Sequence, residues 1–168
     1  MLRWMVAFRA RERQHAQRMA QMDEIDARIL RELARDSRRT NLALAEAVGL
    51  SASATLRRVQ ALERAGVIRG YRAVLDPGRM GRGFVAYLAV GLNDHSKDAQ
   101  AAFERAAART PEVVECHNVT GTVEYLLRIE VADLAAYKVL HTDVLGALPQ
   151  VASLTTYVVM GSPVDGRA

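Results

Sequence analysis

Ser51, Ser53, Ala54, Arg57 and Arg58 lie within one short stretch and could share one helix. Ser51 is of the type that caps a helix, the turn after it is small and polar, and arginines follow in the middle. Such a helix offers backbone N–H groups and hydroxyls to phosphate. Its arginines can grip guanine with two hydrogen bonds, so the chemistry on offer is major-groove DNA reading. Arg38 and Arg39 add basic charge just upstream. The competing reading is an ordinary two-helix corner with a solvated arginine face, because short patterns of this kind match many unrelated helical domains. Catalytic chemistry has weaker footing. Cys116 and His117 are adjacent, but neighbours on a strand point to opposite faces and cannot chelate one ion, and Cys116 is expected to pack in the interior. His15, His95 and His141 lack metal-site spacing, no serine or cysteine nucleophile sits in a known motif, and there is no glycine-rich phosphate loop. No catalytic residue, metal or cofactor is expected.

Three helices must position the basic stretch. Asp23, with Asp26 three residues on, suits the start of a first helix whose buried stripe is Ile25, Ile29, Leu30, Leu33 and Ala34 and which ends near Asp36. The turn Ser37-Arg38-Arg39 leads to Thr40, the cap of a second helix that runs to about Val48. Ala45 lets two helices approach, Gly49 can take the positive φ that stops the second helix, and Leu50 plugs the corner between them. On the third helix the apolar positions Thr55, Leu56, Val59 and Leu62 recur at helical spacing, while Ser53, Arg57, Arg58 and Arg64 project elsewhere. Gly66 ends it. Val67-Ile68 and Tyr71 to Leu75 flank Arg69-Gly70 as in a tight hairpin, the wing of a winged helix-turn-helix domain over residues 23–76. Asp76-Pro77-Gly78 is a turn signal that opens a linker over 77–83.

The second half alternates strand and helix patterns. Phe84–Leu92, Val113–Thr120, Tyr125–Val131 and Val151–Met160 are predicted strands, with helices over Lys97–Arg109 and Leu134–Leu148. The order βαββαβ is the ferredoxin-like arrangement, over residues 84–161 with a tail 162–168, so the fold class is α+β. Phe84 to Val90, Leu126-Leu127 and Tyr157 to Met160 are apolar on both alternate sets. Helices cover one face of such a sheet, so the other predicts a homodimer through sheet faces or edges, which would also place two reading heads on a two-fold site.

Charge is uneven along the chain. Of 168 residues half are apolar, enough for a real core, and the net charge is +4. Residues 1–22 carry five arginines against Glu12, residues 23–80 eleven arginines against eight acids, and residues 81–168 seven bases against ten acids. Basic charge thus gathers around the helix-turn-helix and leaves the C-terminal half mildly acidic, as in a DNA-binding module joined to one that does not bind DNA. Residues 1–22 form a basic extension with an apolar start. They make a poor secretory signal and are expected to be a frayed arm without a function of its own. The single cysteine excludes an internal disulfide, and no apolar run suffices to cross a bilayer, so a soluble cytoplasmic protein without membrane contact is expected.

Asp26 with Ile29-Leu30, Ala45 to Ser51, Arg58-Val59, Leu62-Glu63, Gly66-Val67-Ile68, Gly70-Tyr71 and Leu75-Asp76-Pro77 form one set of landmarks. Pro111-Glu112-Val113, Glu115-Cys116-His117, Val119-Thr120-Gly121, Tyr125-Leu126-Leu127, Leu148-Pro149 and Tyr157-Val158-Val159 form another. Together they resemble the Lrp/AsnC family of leucine- and asparagine-responsive regulators over residues 23 to about 161. The resemblance implies a nucleoid-associated transcriptional regulator that binds double-stranded DNA, dimerises, assembles to octamers and answers an amino acid bound between dimers. It also implies an effector site at the loop Gly121, Thr122, Val123, Glu124 and Tyr125, with Thr156 beside it. There Gly121 permits a tight turn whose N–H groups can meet a carboxylate, while Glu124 can meet an ammonium. The loop departs from the family's pattern: Glu124 stands where an aspartate is usual, and Thr122 is neutral where a charged residue is frequent. Two rivals are a tetrapyrrole-decarboxylase-like or small-oxygenase enzyme and a ligand-binding module without DNA activity. Neither needs Arg57-Arg58 or the positive segment from Asp23 to Met80.

Overall fold

The computed structural model describes residues 22–165, so the basic extension up to residue 21 and the last three residues of the tail lie outside the described residues. The chain divides into two compact units between Ala73 and Val74, three residues before the boundary expected at Asp76.

The first unit holds α1 (Glu24–Arg35), α2 (Asn41–Val48) and α3 (Ala52–Arg64). Each start is capped as its residue types dictate. Asp23 and Asp26 exchange side-chain-to-backbone hydrogen bonds at α1, Thr40 accepts from the Ala43 N–H at α2, and Ser51 from the Ala54 N–H at α3. Gly49 ends α2 at φ 73°, a left-handed conformation that favours glycine. Ile29, Leu44, Val48 and Leu62 form the core, bordered by Ile25, Leu30, Leu33, Leu50, Val59 and Ile68. Polar ties help fix the helices: an Arg28 Nη donates to the Ala47 carbonyl at 2.9 Å, and Asn41 Nδ2 to the Ala52 carbonyl at 2.8 Å.

Three local expectations need correction. Ala34 and Leu56 are exposed, Leu56 by 46%. Thr55, Val59 and Leu62 already fill the inward stripe of α3, and Leu56 sits a sixth to a third of a turn beyond it, by roughly 100° per residue. The wing carries no paired strands. Gly66 has φ 71°, and the N–H groups of Val67 and Ile68 both donate to the Leu62 carbonyl, at 2.9 and 3.2 Å, as a continuation of the helix end and not as a ladder. Tyr71 anchors the following segment by donating to Glu63 at 2.9 Å.

The second unit is a four-stranded antiparallel sheet in the order β2-β3-β1-β4, from β1 (Phe84–Leu92), β2 (Val113–Asn118), β3 (Tyr125–Val131) and β4 (Val151–Val158). α4 (Lys97–Ala108) and α5 (Leu134–Val139) pack on one face. Ala86, Leu88, Val90, Leu127 and Ile129 there meet Phe103, Ala107, Tyr137, Leu140 and Leu145 in one core. The ferredoxin-like fold is thus as expected, with β2 and β4 ending two residues early. The second helix is not one continuous α-helix to Leu148: after Val139 it widens into a π-helix over Leu140–Leu145. That five-residue spacing buries both Leu140 and Leu145 and leaves Val144 41% exposed. On the uncovered face Val85, Tyr87 and Leu126 are half-buried and Tyr157 is 58% exposed. This face is not wholly apolar, because Glu115 of β2 stands opposite Arg128 of β3, and Arg128, 6% exposed, is ion-paired to Glu130.

Candidate functional site

The two adjacent arginines of α3 have different fates. The Arg58 guanidinium is 2.8 Å from both Asp23 and Asp26 at the start of α1, so it joins two helices. Hydrogen bonding to Asp26, then to Asp23, raises the Arg58 pKa. The Asp26 N–H holds the Asp23 carboxyl below its ordinary range, and Arg58 lowers it further against the opposing effect of burial. Arg57 is exposed. Ser51 and Ser53 are also exposed, with their hydroxyls 3.3 Å apart, and Ala54 is half-buried between them and Thr55. Thr55 is fully buried and donates its hydroxyl to the Ser51 carbonyl at 3.1 Å, which fixes the turn from inside. Upstream, Arg39 pairs with Glu32 at 2.7 Å. Arg38 is exposed, in a turn that its own N–H tightens on Asp36 at 2.9 Å. Of the seven residues expected on DNA, five therefore face outward or border that surface, while Arg58 and Arg39 turn to acids of α1.

In the second unit the loop before β3 is ordered by one carboxylate. Glu124 Oε2 accepts the Leu92 N–H at 2.7 Å, and Oε1 lies 3.1 Å from His95 Nδ1. Its backbone is tied as well: its N–H donates to Val90, and its carbonyl accepts from the Val119 N–H and from Asn118 Nδ2. Gly121, at φ 149°, and Thr122 are exposed, and Val123 is half-buried. Tyr125 lies in the core. It is fully buried, its ring centroid is 4.7 Å from that of Phe103, and its hydroxyl donates to Glu104 at 2.9 Å. Burial and then the Glu104 hydrogen bond push its pKa up to about 12.

Thr156 does not join this loop. On β4 it pairs with Leu88, whereas Tyr125 stands opposite Val90, whose partner on β4 is Leu154. Thr156 Oγ1 is instead 2.6 Å from the Tyr137 hydroxyl, in a groove shared with Leu134, Lys138, His141 and Val158. Cys116, expected inside, is exposed on edge strand β2, because α4 covers that edge only in part. Sequence reasoning missed His95 and the Leu92 N–H at the loop, and no local signal could have found them: Leu92 ends β1, 32 positions from Glu124, and His95 lies in the segment that follows it.

Comparison with known proteins gives these two geometries a common context. Residues 22–69 match the model of a winged helix-turn-helix DNA-binding domain, and residues 85–168 match the Lrp/AsnC ligand binding domain. The proline dehydrogenase transcriptional activator of Rhodobacter capsulatus is 40% identical, over 86% of this chain and 94% of that protein. The chain belongs to the Lrp/AsnC family. The leucine-responsive regulatory protein of Escherichia coli K12, also 40% identical, matches 83% of this chain and 85% of its own. Among solved structures, a transcriptional regulator from Neisseria meningitidis in complex with L-Met superposes with a TM-score of 0.82 at 33% identity, covering 86% of this chain and 93% of that one. An AsnC family regulator from Agrobacterium tumefaciens follows at 0.80 and 33%, covering 86% and 94%. This Lrp/AsnC chain is a DNA-binding transcriptional regulator with a separate ligand-binding domain. Among the described residues no helix is long and apolar enough to cross a membrane, and no cluster of histidine, cysteine and carboxylates could hold a metal ion.

Proposed function

We propose that this regulator reads DNA with the outward side of α3 and answers an amino acid at the loop Gly121–Glu124. The observation that carries the DNA assignment is the division of labour on α3: Arg58 is held by Asp23 and Asp26, while Arg57 stands exposed beside the capped first turn. Ser51, Ser53 and Ala54 would meet phosphates or bases with Arg57, and Arg38 would hold the backbone. Replacing Arg57 by alanine should cost roughly 1–3 kcal/mol of specific binding if it reads a base, or lower the salt slope by about one if it holds phosphate. Titrations at several salt concentrations separate the two. Unchanged affinity and slope would reject the assignment.

For the effector, two relatives supply the class. One is named for leucine and another was solved with L-Met. The N–H groups of the exposed residues Gly121 and Thr122 would take the carboxylate, and Glu124 the ammonium. Thr156 and Tyr125 stay outside this pocket, since each is occupied within the core or its margin. Calorimetry with the twenty common amino acids tests the reading, and absence of any binding would reject it. A regulatory and not an enzymatic role fits the basic α3. The uncovered sheet face fits a homodimer that assembles further to an octamer, acting on the chromosome in the cytoplasm.

A further inference from the structure

Glu124 is engaged at both carboxylate oxygens before any ligand arrives, and the two engagements differ in kind. The Leu92 N–H is free to donate because the pairing of β1 with β3 ends at Val90 opposite Tyr125, so two residues further on the N–H on that side of the strand meets the Glu124 side chain in place of a backbone carbonyl. The carboxylate reaches it across Gly91, where an added Cβ would fall 2.5 Å from Ser153 Oγ and 3.9 Å from Glu124 Oε2. Oε2 is therefore built into the sheet. Oε1 is held from the solvent side by His95, whose side chain is 74% exposed while that of Glu124 is 20% exposed. His95 lies in the segment between β1 and α4, and its carbonyl accepts from Gln100 Nε2. Of its two neighbouring acids, Asp94 feels the imidazole electrostatically but is turned to the Ser96 N–H and hydroxyl at 2.8 and 2.7 Å, and Glu124 is the one in direct contact with it.

We propose that His95 is the gate of the effector loop: it covers Oε1, the carboxylate oxygen that Leu92 leaves to the solvent side, so a ligand's ammonium that takes this place displaces the imidazole, and His95 thereby sets how strongly the site prefers ligands that carry an ammonium. The inference rests on the amino-acid reading of the loop. The chemistry is an exchange of partners at one oxygen. A cationic ammonium replaces the Nδ1 donor, while Leu92 keeps Oε2 and the loop keeps its shape. A ligand of the same skeleton without the ammonium gains nothing from the exchange.

The test compares the full-length protein with His95→Ala and Glu124→Gln, using L-leucine and L-methionine as probes beside 4-methylpentanoate and 4-(methylsulfanyl)butanoate, which lack only the amino group. Both substitutions spare the fold, since His95 is exposed and the glutamine carbonyl can still accept from Leu92. Affinity for the amino acid relative to its deaminated analogue should rise about two- to fivefold in His95→Ala, the worth of one solvent-accessible polar contact to a carboxylate. In Glu124→Gln the preference should fall toward parity. Nitrogen NMR adds a structural readout: the His95 Nδ1 resonance should move when amino acid saturates the wild type, and toward the position it takes in Glu124→Gln. Binding with an unchanged preference in His95→Ala, or with a motionless His95 resonance, overturns the gate and leaves the effector loop standing. Failure of wild type and His95→Ala alike to bind either amino acid overturns both.

Discussion

Adjacent residues on a helix point roughly 100° apart, and that angle separates Arg57 from Arg58. Arg58 turns to the capping box of α1 and meets Asp26, which is only 9% exposed. Removing the guanidinium leaves that carboxylate without its ion-pair partner. Arg58→Ala should lower stability by about 1 kcal/mol, a figure kept small because the pair remains in contact with water. A urea melt checks it, and an Arg58→Ala protein as stable as wild type would show that the bridge contributes nothing. The same cluster predicts an acid response. The Asp23 pKa is lowered in the folded state, first by the Asp26 N–H and then by Arg58, so its contribution is present above the ordinary aspartate range and is lost as pH falls through the lowered value. Melts between neutral and strongly acidic pH should therefore converge for wild type and Asp23→Asn at the acid end; parallel curves would contradict the linkage. The caps at Asp23, Thr40 and Ser51 were legible because each acts on N–H groups within three residues. Arg58 was not, because its partner Asp26 is 32 positions away and only the packed helices bring them together.

At the scale of elements, apolar periodicity located helices and strands but could not resolve how tightly a helix is wound. Leu140, Val144 and Leu145 suit an α-helix or a π-helix equally, and the choice follows from which two leucines reach the sheet. Gly146 closes the wide turn by donating its N–H to the His141 carbonyl at 2.9 Å, and an added Cβ would lie 2.7 Å from that same oxygen. Backbone cannot yield as a flexible side chain does. Gly146→Ala should therefore destabilise the second unit by about 1–3 kcal/mol, measured by thermal melting, and a neutral result would mean that the segment rewinds as an α-helix. The strand pairing of the wing and the position of Thr156 were misread for related reasons. Turn residues at Arg69-Gly70 suggested a hairpin, yet the N–H groups it needed at Val67 and Ile68 close the end of α3. Thr156 was placed beside the loop by the family resemblance, whereas the register of β4 on β1 puts it against Tyr137.

For the whole molecule the decisive feature is the sheet face that no helix covers. Val85, Tyr87 and Leu126 lie on it half-buried, Tyr157 is mostly exposed, and the Arg128–Glu130 pair sits among them with Arg128 almost out of solvent. Among the described residues the Arg128 Nε has no hydrogen-bond acceptor, an arrangement that costs free energy unless an acceptor is brought to it. A second copy laid on this face would cover the apolar side chains, and the two-fold pairing would link two DNA-reading units on one duplex. Leu126 is the sharpest probe, since it flanks Arg128 on β3, faces Ala89 across β1 and takes no part in the helix-covered core. Leu126→Glu in the full-length chain should weaken self-association about tenfold or more, as loss of a central interface residue does. If two heads engage one operator together, affinity for a two-fold operator should fall with it, while affinity for a single half-site should not. Sedimentation and operator titrations on the same preparations measure both. Intact dimers in Leu126→Glu would place the interface elsewhere, and a monomer that still bound the full operator as tightly as wild type would show that recognition does not depend on the pairing of heads.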